Sequence, residues 1–120
     1  MPTKIRTALI GVGKVAHLHA SALGALAEAE FVAVCGRNAE RAAAFARQYD
    51  VQPYTDIATM IRDARVQAVI IGTPHPAHAA PAIQAARAGA HILIEKPLAS
   101  NLKGCDAMIA AAQRARVKLG

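Results

Sequence analysis

The sequence predicts an α/β domain, a doubly wound parallel sheet with helices on both faces. Three observations predict it. Strand-length apolar runs alternate with helical patterns, the runs are almost continuously apolar, and turn chemistry falls where the pattern changes. A sheet with one wet face would alternate polar and apolar residues instead. The runs are residues 5–10, 31–35, 51–54, 68–71 and 91–94. Crossovers between them should be right-handed.

The helical stretches are justified in turn by apolar residues recurring with a 3.6-residue period. In the first, Val15, Leu18, Ala22, Leu23 and Leu26 fall on one face, which is expected to meet the sheet, and His17 points away from it. In the second, Ala42, Phe45, Ala46 and Tyr49 share a face, and Asn38 can cap the start. The third, from 57 to about 62, is short and follows Asp56 as cap. Pro76 suits the first turn of the fourth, Ile83 and Ala86 mark its inner face, and Gly89 ends it. Ser100 can cap the last, whose inner face reads Leu102, Cys105, Met108, Ile109 and Ala112. Residues 117–120 read as the opening of a sixth strand. Residues 1–120 are therefore expected to form one domain, truncated from a longer protein.

Composition bounds the function. A chain of 120 residues suffices for one core, and 54% hydrophobic content excludes a disordered chain. Alanine fills 30 positions and Trp is absent, so the core must be aliphatic and closely approached by its helices. The net charge of +6 suits a phosphate-bearing partner. Nucleic acid is not the expected one, because the basic residues are scattered and aromatics for base stacking are few. Cys35 and Cys105, 70 positions apart, show no metal spacing and read as free buried thiols in a reducing compartment. The N-terminus enters an apolar strand at once, without a secretory apolar region, and no run is long enough to span a bilayer. A cytoplasmic protein without a membrane partner is expected.

The most informative motif is Gly11-Val12-Gly13-Lys14-Val15-Ala16, a G-x-G-x-x-A at the junction of the first strand and helix. Gly11 permits the tight turn, Gly13 lets the backbone approach a pyrophosphate, and Ala16 lets the helix pack on the strand. Phosphates would then sit on free N–H groups at the helix N-terminus. This is the dinucleotide-binding, Rossmann-type arrangement. A methyltransferase also uses a glycine loop after its first strand and stays open at this point. A P-loop is excluded, since no G-K-[ST] follows.

Where NAD sites carry an acidic residue for the ribose 2′-hydroxyl, the second strand here ends Gly36-Arg37-Asn38. No carboxylate stands there to repel a 2′-phosphate. Arg37 offers a planar fork for that phosphate or a surface to stack on adenine, and Arg41 lies one turn on. NADP is the expected cofactor, with NAD or use of both as the alternative if Arg37 is only a solvated surface residue. The candidate cofactor contacts are Gly11, Val12, Gly13, Lys14, Val15, Gly36, Arg37 and Asn38.

Two further segments lie at the carboxyl ends of strands, where open α/β sheets bind ligands. They are Thr73-Pro74-His75 with His78, and Glu95-Lys96-Pro97. Together with the glycine loop they resemble the glucose–fructose oxidoreductase, inositol dehydrogenase and MocA family across essentially the whole chain. Its usual Thr-Pro-Asn appears here with His75 in place of Asn. The resemblance implies Lys96 as the catalytic lysine, beside the nicotinamide and so itself a cofactor contact, Glu95 as a ligand of the nicotinamide-side ribose, and Thr73, Pro74 and His78 as further cofactor contacts. It also implies a hydride transfer between nicotinamide and a sugar, polyol or related small-molecule substrate. A lysine acts as base there only if its pKa is drawn toward neutrality, which burial and a cationic ring both favour. Left open beside these roles are a surface ion pair of Lys96 with Glu95 and a helix-start His78 satisfied by backbone. His75 and His78 have no carboxylate or Cys near in sequence, so no metal is expected. The family's second domain would supply further substrate contacts and a homo-oligomer interface. A cofactor-sensing regulator on the same fold is the alternative, which the Glu-Lys-Pro element disfavours.

Overall fold

The structure, a computed structural model, describes residues 4–72, 79–94 and 102–120. Strands and helices alternate: β1 (Ile5–Ile10), α1 (Lys14–Ala25), β2 (Ala29–Cys35), α2 (Ala39–Tyr49), β3 (Gln52–Tyr54), α3 (Ile57–Asp63), β4 (Ala68–Ile71), α4 (Ala79–Arg87), β5 (His91–Ile94) and α5 (Leu102–Ala115). The sheet runs β3-β2-β1-β4-β5, with every pairing parallel. Strand order reverses beside β1, and such a reversal opens a crevice at the carboxyl ends of β1 and β4. Beyond β5, the Ile92 N–H donates to the Lys118 carbonyl (2.8 Å) and the Gly120 N–H returns a bond to Ile92 (2.8 Å). Residues 118–120 thus lie parallel to β5, as the sixth-strand reading expects.

Strand alternation divides the core between two faces. Ala8 and Ile10 of β1, Ala33 and Cys35 of β2, and Val69 and Ile71 of β4 meet α3, α4 and α5 on one side. Leu9 and Val34 meet Ala16, Ala20 and Leu23 of α1 and Phe45 and Ala46 of α2 on the other. On this second side, coverage among the described residues is incomplete. An apolar groove of about 600 Å³, lined by residues including Leu26, Ile70, Leu93 and Leu119, lies open over β4 and β5.

The capping residues behave as their chemistry requires. Asn38 Oδ1 accepts from the Arg41 N–H (3.0 Å), and Asp56 Oδ2 accepts from the Thr59 N–H (2.9 Å). Gly89, at φ 92°, closes the turn after α4. Pro76 and Ser100 lie outside the described residues.

The face expected of α1 is a correction. Val15, Leu18 and Leu26 are 43%, 73% and 52% exposed, whereas Ala16, Ala20 and Leu23 are buried. Ala16 decides this. Once the glycine loop turns Ala16 onto the sheet, a rotation of about 100° per residue carries Ala20 and Leu23 inward and Leu18 outward. Alanines also admit the helix close to the strands, which larger residues would hold off. The same rotation sets His17 against α2. Its ring centroid lies 4.6 Å from that of Phe45, and its Nδ1 is hydrogen-bonded to Tyr49 Oη at 2.6 Å. On α5, Met108 and Ala112 of the expected face are buried, with Ala111 beside them, whereas Ile109 is 42% exposed and leaves that face. Cys105 is half-buried rather than buried, and both cysteines are free.

Candidate cofactor site

The glycine loop begins where β1 runs out. Gly11 adopts φ 106°, a conformation that a side chain would strain, and its N–H donates to the Cys35 carbonyl (2.8 Å). Gly13 is different. It is the N-cap of α1 at φ −80°, which any residue adopts, and a Cβ placed there would meet nothing within 4 Å. Neither backbone geometry nor packing within the described protein calls for a glycine. The space beside it is open among the described residues, as it is beside Gly24.

The start of α1 is open. It has no side-chain cap, unlike α2 and α3, whose caps are filled by Asn38 and Asp56, and no acidic residue in its first turn. Its leading amides and the positive end of its dipole face outward, where an anion is favoured. Lys14 and Val15 are exposed beside it, and Val12 packs half-buried on the α1–α2 core.

The end of β2 forms the neighbouring wall. The Gly36 N–H donates to the Tyr54 carbonyl (3.0 Å). Arg37 and Arg41 are exposed. Asn38, expected as a cofactor contact, spends its side-chain oxygen on the α2 cap. Below them, burial and then the Asp56 carboxylate push the Cys35 thiol up to about 11, so it stays protonated. Hydrogen bonds from Thr59, side chain first and then backbone, hold the Asp56 carboxyl below the usual range.

The Gly72 N–H donates to the Ile10 carbonyl (2.9 Å), which draws the end of β4 against the start of the glycine loop. His19 of α1 faces this junction. The remaining expected site residues, Thr73, Pro74, His75, His78, Glu95, Lys96 and Pro97, lie outside the described residues. Parallel β4 and β5 end at Ile71 and Ile94, on the same edge of the sheet as Gly11. Among the described residues no three His, Cys, Asp or Glu side chains converge as a metal site, and no helix is long and apolar enough to cross a membrane. Sequence reasoning missed two contacts between α1 or its loop and the β2–α2 unit. One is His17 with Tyr49; the other is Val12 with the vacant Cβ position of Gly36, 3.2 Å from Val12 Cγ2. Neither pair has a signal in local sequence.

A parallel sheet that reverses at β1, with an uncapped helix start after a positive-φ glycine turn at the reversal, has the architecture of a dinucleotide-binding domain. Residues 5–120 match the oxidoreductase family with an NAD-binding Rossmann fold, Gfo/Idh/MocA, and the chain belongs to that family. It is 36% identical over 96% of its length to UDP-N-acetylglucosamine 3-dehydrogenase of Acidithiobacillus ferrooxidans, and spans 36% of that protein. With scyllo-inositol 2-dehydrogenase (NADP(+)) of Bacillus subtilis it shares 33% identity over 91% of its length and spans 34% of the relative. Its backbone resembles the WlbA dehydrogenase of Bordetella pertussis, solved in complex with NADH and UDP-GlcNAcA, with a TM-score of 0.89 at 30% identity. That match covers 95% of this chain and 36% of the other.

Proposed function

We propose that the chain is the cofactor-binding part of a longer NADP-preferring oxidoreductase acting on a sugar, polyol or related hydroxy or carbonyl compound. The uncapped start of α1, directly after the positive-φ turn at Gly11 and at the edge where the strand order reverses, supports this reading. The pyrophosphate rests on the amides at the start of α1, with Gly11, Val12, Gly13, Lys14 and Val15 as its cradle. Gly36, Arg37 and Asn38 border the adenosine ribose. With no carboxylate at position 36, Arg37 pairs with a 2′-phosphate.

The bound nicotinamide ring supplies the hydride chemistry. Lys96 takes the proton of the substrate hydroxyl or returns it, Glu95 holds the adjacent ribose, and Thr73, Pro74 and His78 line the ring. The substrate class is supported by the dehydrogenases above, and the rest of the protein by the third of their length that this chain spans. That remainder carries substrate contacts and a homo-oligomer interface. The protein is cytoplasmic, with neither nucleic acid nor membrane as partner.

Fluorescence titration of the purified chain with NADPH and NADH tests the cofactor. NADPH is expected to bind more tightly; tighter NADH rejects the preference, and binding of neither rejects the site. In the full-length protein, Lys96→Ala should abolish hydride transfer while NADPH affinity stays. An undiminished turnover would remove Lys96 from the chemistry.

A further inference from the structure

Gly36 is not demanded by its own backbone. Among the described glycines only Gly11 and Gly89 have positive φ. Position 36 could therefore carry a side chain, including the carboxylate of an NAD site, as far as conformation goes. Packing is what resists it. An added Cβ would lie 3.2 Å from Val12 Cγ2, 3.4 Å from Val12 Cγ1 and 3.5 Å from Ala42 Cβ. Ala42 is buried on α2 and makes an ordinary contact. The obstacle is Val12, whose branched side chain has little freedom at χ1 and packs on the α1–α2 core.

Val12 is also the residue between Gly11 and Gly13. To make room for a side chain at position 36 the Val12 side chain must give by a few tenths of an ångström, and it sits between the two glycines of the loop. We infer that Val12 is a specificity-determining residue: its two methyl groups crowd the Cβ of any side chain at position 36 and tie cofactor choice to the shape of the phosphate loop. This rests on the proposed cofactor reading. It also goes beyond it, because a contact within the protein disfavours an acidic side chain there, beside the absence of one in the sequence.

A double-mutant cycle tests the contact, with dissociation constants for NADPH and NADH and a melting curve for each protein. In Gly36→Ala the added methyl overpacks against Val12, and both cofactors should weaken together by about tenfold, the scale of a modest overpacking cost. In the Val12→Ala background the same change should move affinity by less than about twofold. Gly36→Asp alone should bind both cofactors poorly, whereas Val12→Ala/Gly36→Asp should regain NADH and not NADPH. If Gly36→Ala does not fold, recovery of the fold in the double variant supports the contact, and failure in both overturns it. Equal effects in both backgrounds overturn it too, as does coupling in melting temperature with no coupling in affinity. A wild-type preference for NADH would reject the NADP reading and leave the alanine cycle to decide the contact by itself.

Discussion

Replacing Gly13 by alanine separates binding from folding. Among the described residues, chain neighbours aside, the new methyl meets no atom within 4 Å, and φ −80° suits alanine, so neither clash nor strain is expected from them. Two small effects remain. Alanine is a poorer N-cap than glycine by roughly 0.5–1 kcal/mol. Alanine also restricts the unfolded chain, which favours folding by about 0.4–1 kcal/mol. They oppose each other, so the net change should stay within about 0.5 kcal/mol, or about 2 °C in Tm for a domain of this size. Cofactor binding has no such cancellation. On the proposed reading the methyl stands where the pyrophosphate would approach, and loss of one charge-assisted bond to an amide costs about 1.5–3 kcal/mol. Affinity should therefore fall by about 10- to 150-fold. Calorimetric melting and a fluorescence titration of the same sample read both quantities. Wild-type affinity in the variant would refute placement of the phosphates on this loop. A Tm lowered by many degrees would show instead that Gly13 serves the fold.

Three other outcomes follow from the same structure. Arg37→Ala should weaken NADPH by about tenfold or more, as expected for one charge-assisted pair, and leave NADH within about twofold; parallel titrations check this, and equal losses would assign Arg37 to adenine stacking. Phe45 is buried between His17 and Tyr49, with ring centroids 4.6 and 4.9 Å away, so Phe45→Ala should cost about 3–5 kcal/mol in urea unfolding, a large share of a typical stability. The Cys35 thiol holds its proton up to about 11 in the fold against an ordinary 9.0, so its contribution is intact below 9.0 and is lost as pH rises toward 11. Urea midpoints should therefore fall more between pH 8 and pH 10.5 in the wild type than in Cys35→Ala, and equal slopes would contradict the burial argument.

The sequence by itself determined what depends on neighbours along the chain. The alternation of apolar runs with helical periods defined all five strands and all five helices, with end shifts at β2 and β3. Asn38, Asp56 and Gly89 end or begin helices through bonds and angles within a few residues, which is why local chemistry predicts them. The glycine loop was legible for the same reason, since its turn, amides and helix start are contiguous. Tertiary structure alone decided which stripe of a helix faces inward. On α1 more than one stripe is apolar, and periodicity gives no preference between an alanine stripe that packs close and a leucine stripe that covers more area. It alone also brought Val12 against Gly36 and His17 against Tyr49. These pairs are 24 and 32 positions apart, and they meet because parallel pairing sets β2 beside β1 and swings α2 against α1. The glycine loop is thus written in consecutive residues. The Val12–Gly36 contact beside it is made where separate segments touch, and only packing in three dimensions determines that.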